Sequence, residues 1–178
     1  MRMKAIIPLA GKGTRLRPHT HVTPKPLVRV AGRPVMSYIL DDLTELGVDE
    51  MVFVVGYLRE VVESYIAEAY PNITAHYVVQ EVQDGTAGAV SLAEPFVDED
   101  VLILFVDTLF DANLGLVRDV RETTGGIIWA KEVEVYQRYG VILTDDEGHM
   151  VRIIELSLIH ISEPTRPLYI SYAVFCLK

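Results

Sequence analysis

The chain has 178 residues, half of them hydrophobic and 23% charged, with a net charge of −9; this suits one globular domain and argues against nonspecific binding to nucleic acid or anionic lipid. A single cysteine, Cys176, excludes a disulfide framework and favours the reducing cytoplasm. The longest uninterrupted apolar run, Val101 to Val106, falls far short of the roughly 20 residues a membrane-spanning helix requires, so no membrane partner is expected.

In chain order, Lys4–Leu9 predicts a first strand. Residues 1–40 carry eight basic side chains and no Asp or Glu, whereas the remainder carries the other eight bases and all 25 acids. That split predicts a local site for a small anion in the first segment. Pro34–Leu46 predicts a helix with proline in its first turn and Gly47 as its stop. A strand over Met51–Val55, a helix from Leu58 to Ala69, a strand over Ile73–Val79 and a short helix over Thr86–Ala93 follow. Val101–Val106 is continuously apolar, as a central strand covered on both faces should be. Leu114–Glu122 predicts a helix, and Gly126–Ala130 and Val141–Leu143 predict strands. The alternation implies a doubly wound α/β fold with a mostly parallel, Rossmann-like sheet, in which ligands bind beyond the carboxyl ends of the strands. The loops after Leu9, Val79 and Val106 are therefore where chemistry is expected.

The first of these loops reads Leu9-Ala-Gly-Lys-Gly-Thr-Arg-Leu-Arg-Pro18 and is followed by Pro24-Lys-Pro26. Two glycines two apart let the backbone turn sharply and aim N–H groups at phosphate oxygens, and Arg15 and Lys25 can add positive charge. It is neither of two familiar phosphate loops. The dinucleotide fingerprint needs a glycine at position 16, where Leu16 stands, and the P-loop needs Ser or Thr after Gly-Lys, where Gly13 stands. A bare Gly-x-Gly is more often just a turn. The longer string, Gly11-Lys-Gly-Thr-Arg-Leu-Arg-Pro18 with Pro24-Lys-Pro-Leu27 and Ala31-Gly-Arg-Pro-Val35, closely resembles the signature of the nucleotidyltransferases that make nucleotide sugars. The resemblance runs from Lys4 to Glu155.

In that family a sugar 1-phosphate attacks the α-phosphate of a nucleoside triphosphate and expels pyrophosphate. The resemblance implies that Leu9, Ala10, Gly11, Gly13 and Thr14 bind the nucleotide, with Arg15 and Lys25 as catalytic cations. Gln80-Glu-Val-Gln-Asp-Gly-Thr-Ala-Gly-Ala89 is similar to the family's base-recognition segment, which makes Gln80, Gly85 and Thr86 nucleotide-binding. A glutamine amide offers both donor and acceptor to a pyrimidine edge. Asp107, after the most apolar strand, is implied as the Mg²⁺ ligand; a structural cap is its other reading. The family has Gly-Asp there, and this chain has Val106-Asp107. Arg138-Tyr-Gly-Val141 and Ile153-Ile-Glu155 resemble sugar-binding segments, implying Gly140 and Glu155, although Leu156 replaces the lysine the family places after that glutamate. The implied partners are dTTP or UTP and glucose 1-phosphate, with homo-oligomerisation of the full-length protein left open. A non-catalytic sensor of nucleotide sugar is the alternative, and retention of Arg15, Lys25 and Asp107 together favours the enzyme.

His19 and His21 read as solvated loop residues, and His76 and His149 show no ligand spacing. From Leu156 the family pattern stops. Leu156–Arg166 and Ile170–Leu177 instead resemble the in-frame translation of a short-read sequencing adapter. The expectation is a catalytic part over 1–155, whose natural gene continues further, and a non-native tail over 156–178 that leaves the chain poorly soluble or inactive. The tail should make few specific contacts or add a strand to the sheet.

Overall fold

In the computed structural model the described residues are 3–106, 109, 111–119, 125–130, 140–154, 167–170 and 174–177. Their elements are β1 (Met3–Pro8), the two-residue strands β2 (Arg29–Val30) and β3 (Arg33–Pro34), α1 (Val35–Leu46), β4 (Glu50–Val55), α2 (Arg59–Ala69), β5 (Thr74–Val79), α3 (Thr86–Ser91), β6 (Asp100–Leu104), β7 (Gly126–Trp129), β8 (Gly140–Thr144), β9 (Met150–Ile154), β10 (Pro167–Ile170) and β11 (Val174–Leu177). They divide into two compact units, residues 1–127 with 174–178, and residues 128–173.

The first unit is built on a sheet of order β5-β4-β1-β6-β11-β7. β1 pairs in parallel with β4 and β6, and β4 in parallel with β5. Because connections from one parallel strand to the next are right-handed, α1 and α2, which lead outward from β1 to β4 to β5, cover one face. The chain then returns past β1 to β6 through α3, which covers the other face. Side chains alternate across each strand accordingly. Ile6, Val52, Val54, Val101 and Ile103 cluster with Ala89 and Ala93 from the α3 side. Their alternates Ala5, Ile7, Met51, Phe53, Leu102 and Leu104 are fully buried on the opposite side, where α1 contributes the stripe Met36, Ile39, Leu40 and Leu43. This is the doubly wound arrangement expected from the strand–helix alternation, and its winding reverses between β1 and β6.

Two local readings differ from the structure, and one element was not read at all. Leu114–Asp119 is a 3₁₀ segment rather than an α-helix, and residues 120–122 lie outside the described residues. Gly115 weakens helical propensity there, and Asn113 diverts the Gly115 N–H to its own side-chain oxygen at 3.0 Å. β6 ends at Leu104, so Phe105 and Val106 belong to the loop that follows. The hairpin of β2 and β3, turning through Ala31 and Gly32 at positive φ, has too few residues for any periodicity to reveal. In the tail, β11 pairs antiparallel with β6, and β10 antiparallel with β8.

The second unit carries the antiparallel sheet β10-β8-β9. Its described core is Val141 and Ile154 with Leu143 against them, while Met150, Val151 and Ile153 stay exposed.

At the amino ends of the parallel strands Lys4 is buried, and its ammonium pairs with Asp98 at 2.6 Å and Glu50 at 3.0 Å. Glu50 also meets His76 Nε2 at 3.0 Å. Hydrogen bonding to Asp98 and Glu50 holds the lysine above its ordinary value of 10.5. Bonding to Lys4 and then His76 holds Glu50 below its ordinary 4.5. The lysine's contribution is complete below pH 10.5 and fades as pH rises through its raised value. The carboxylate's contribution is complete above pH 4.5 and fades as pH falls through its lowered value. Lys4→Met is therefore expected to lower the melting temperature at neutral pH and to flatten the acid limb of stability. Thermal melts across the acid range check this, and an acid limb as steep as the wild type's would refute it.

Candidate functional site

Where the winding reverses, the loops leaving β1 and β6 diverge and open a crevice beyond the carboxyl ends of the strands. A cavity of about 300 Å³ occupies it. Pro8 to Gly11 form one wall, Phe105 and Val106 another, and Gln80, Gln83, Gly85, Thr86 and Ala89 a third; Lys25 and Pro26 complete the lining. Lys25 is the only ionisable side chain among these lining residues, so the described wall carries a positive charge in a protein of net charge −9.

The loop after β1 is held by groups from distant segments. Leu9 N–H continues the pairing with β4 by donating to Val54 O at 2.7 Å. Gln83 Nε2 donates to Ala10 O at 2.7 Å, tying this loop to the one after β5. Gly13 has φ +60°, and the buried Thr20 hydroxyl donates to its carbonyl at 2.8 Å. A side chain at Gly13 would be strained and would also press on Thr20 Cγ2 at 3.0 Å and Lys25 Cβ at 3.2 Å. Tyr57, just after β4, donates its hydroxyl to His21 O at 2.9 Å. His19 and His21 are exposed.

On the facing loop Gln80, directly after β5, is buried, and its Nε2 donates to Asp84 Oδ1 at 2.9 Å and Gly85 O at 3.2 Å. Gly85 adopts φ +104° with nothing within 4 Å of the Cβ it lacks, so its backbone conformation is what demands glycine. Gly11 is different. It lines the cavity, its φ lies outside the left-handed region, and open space would receive its Cβ. Nothing among the described residues requires a glycine there, whereas a ligand lying against the backbone would.

A protein-family model for nucleotidyl transferases matches residues 4–156. The chain belongs to the nucleotidyl transferase family. Among curated relatives of this nucleotidyl transferase, the UTP–glucose-1-phosphate uridylyltransferase AglF of Haloferax volcanii is 36% identical over 157 residues, covering 86% of this chain and 65% of that protein. The mannose-1-phosphate guanyltransferase of Debaryomyces hansenii is 37% identical over 150 residues, covering 80% of this chain and 41% of that one. The nucleotidyl transferase chain thus spans less than two thirds of the length of either. An apo UDP-glucose pyrophosphorylase structure superposes with a TM-score of 0.85 at 20% identity, covering all of this chain and 77% of that one. A UDP-glucose pyrophosphorylase from Acinetobacter baumanii superposes at 0.81 with 21% identity, over 99% of this chain and 74% of its own. Both show the same fold.

Of the residues singled out in this nucleotidyl transferase, Leu9, Ala10, Gly11, Lys25, Gln80, Gly85 and Thr86 share the cavity wall. Gly13 and Thr14 do not line it; Gly13 braces Lys25 from behind, and Thr14 opens the exposed 3₁₀ turn that follows. Arg15 lies in that turn, with its side chain outside what the structure describes. Asp107 and Glu155 also lie outside the described residues, and Gly140 is the first residue of β8 in the second unit. Thr20, Gly56, Tyr57, Gln83 and Asp84 were missed. The available signal was Gly56-Tyr57 directly after a strand, in a loop at the same end of the sheet as the other three.

His149 lacks zinc-like sequence spacing, yet its ring nitrogen, Asp145 and Glu147 bring ligand atoms within 4.8 Å of one another in the exposed β8–β9 turn. Asp145 Oδ1 already accepts the N–H groups of Glu147 and His149 there, at 3.0 and 2.8 Å. Among the described residues no helix is long and apolar enough to cross a membrane.

Proposed function

We propose that this chain is the nucleotide-binding part of an enzyme that transfers a nucleotidyl group from a nucleoside triphosphate to a sugar 1-phosphate, releasing pyrophosphate. The observation that carries this is the cavity at the winding reversal. It brings Gly11, Lys25 and the Gln80–Gly85 loop to one 300 Å³ space in a chain of the nucleotidyl transferase family. The bare Cα of Gly11 leaves room for phosphate oxygens, and Lys25, with Arg15, stabilises negative charge as the bond to pyrophosphate lengthens. The attacking phosphate oxygen is already anionic and needs no general base, so positioning and charge neutralisation supply the catalysis.

Magnesium would neutralise part of the triphosphate charge. The described lining residues offer amides, the Thr86 hydroxyl, backbone groups and one ammonium but no carboxylate, so they do not by themselves form a magnesium site. The proposed ligand is Asp107, the residue after the lining Val106, and the roles given to Lys25 and Gln80 do not depend on it. Gly140 and Glu155 are proposed to contact the sugar, residues 1–155 to form the catalytic part, and residues 156–178 to be foreign to it.

Gln80 and Gly85 favour a pyrimidine, and the proposed substrates are dTTP or UTP with glucose 1-phosphate. Presenting UTP, dTTP, GTP and ATP with Mg²⁺ and glucose 1-phosphate, and measuring pyrophosphate, should rank the two pyrimidines first. A clear purine preference would refute the base assignment. Triphosphate binding without pyrophosphate release, in the product of an independently sequenced full-length gene, would identify a sensor instead.

A further inference from the structure

We propose that Asp84 is a specificity-positioning residue. It fixes the polarity of the Gln80 amide, so that the cavity selects bases carrying a ring N–H. The inference deepens the nucleotide-site reading and rests on it. Both partners of Gln80 Nε2, a carboxylate oxygen of Asp84 at 2.9 Å and the Gly85 carbonyl at 3.2 Å, can only accept hydrogen bonds. A flipped amide would set Oε1 against two oxygens, so only one orientation is available. Both amide hydrogens are then committed inside the loop, and Oε1, an acceptor, is what Gln80 has left to offer a ligand in the cavity it lines.

The carboxylate has a built seat. A Cβ placed on Gly88 would lie 2.0 Å from Asp84 Oδ1 and 2.4 Å from Oδ2, so the absence of a side chain at 88 makes the space in which the carboxylate sits. Asp84 is thus pinned between the bare Cα of Gly88 and the amide it orients. The consequence for the ligand is a donor requirement. Uracil and thymine at N3, between two carbonyl groups, and guanine at N1, between a carbonyl and an amino group, present a ring N–H. Cytosine and adenine present an unprotonated ring nitrogen at the equivalent positions, and an acceptor facing Oε1 is repelled. Their exocyclic amino groups stand outside the ring and reach Oε1 only if the whole base shifts in the crevice.

The test is equilibrium binding of UTP, GTP, CTP and ATP to the 178-residue chain by calorimetry. The wild type should bind UTP more tightly than CTP. Asp84→Leu, which keeps bulk but removes the acceptor, should reduce that ratio about tenfold, the order expected for losing one hydrogen bond to a charged group. Gly88→Ala displaces the carboxylate without touching its chemistry, and alanine favours the helix; it should reduce the ratio in the same direction. Asp84→Asn can still present an oxygen to Nε2 and should retain most of it. A uniform loss of affinity for all four triphosphates, with the UTP-to-CTP ratio intact in Asp84→Leu and Gly88→Ala, would overturn the inference and leave the nucleotide site standing. A wild type that binds no triphosphate would overturn the site and the inference together.

Discussion

Lys25→Ala is expected to cut pyrophosphate release by about 10²–10³-fold in the active protein, the usual cost of removing one preorganised charge-stabilising group from a transition state. Lys25 is the only ionisable side chain among the described lining residues, so no described neighbour in the wall can replace its charge. Its stem is placed by the loop itself, in the 3₁₀ turn Lys25–Leu27, with Gly13 close behind its Cβ. Lys25→Arg keeps the charge but not the compact ammonium, and should recover only part of the rate. Far-ultraviolet circular dichroism should be unchanged in both variants. Turnover close to normal in Lys25→Ala would remove Lys25 from the role given to it.

Gly56→Val should be the most damaging substitution to the architecture of the site. A Cβ on Gly56 would lie 2.9 Å from Ala10 O and 3.1 Å from Ala10 Cα and Cβ. These are mostly backbone atoms of the loop after β1, and they cannot rotate away as the end of a long side chain could. Ala10 O also accepts the bond from Gln83, so moving it disturbs the tie to the loop after β5. Overpacking of this kind costs about 1–3 kcal/mol, which for a domain of this length lowers the melting temperature by roughly 2–12 °C. Triphosphate affinity should fall with it, by about tenfold or more if the loop shifts. Thermal melts and triphosphate titrations read both effects, and a variant unchanged in each would show that the loop tolerates the displacement.

Much of the cavity wall was legible in the residues because the two loops proposed to hold phosphate and base are each contiguous. Gly11 to Lys25 and Gln80 to Thr86 each place their groups within one loop, so local spacing carries the information. The supports of those loops come from elsewhere. Gln83 reaches Ala10 across 73 residues, and Tyr57 reaches His21 across 36. No pattern near Ala10 or His21 points to either partner.

The same division runs through the fold. Apolar periodicity and helix-stop residues within a few positions determined that β1, α1, β4, α2, β5, α3 and β6 form, and roughly where each ends, because backbone geometry repeats over two residues in a strand and 3.6 in a helix. The β2–β3 hairpin, the antiparallel strands β9, β10 and β11, and the close packing of Gly56 on Ala10 were decided only in three dimensions. The last of these follows from the strand order β5-β4-β1-β6, which sets β4 beside β1 and brings the loop after one against the loop after the other. That adjacency arises from long-range packing, and no local pattern of side chains encodes it.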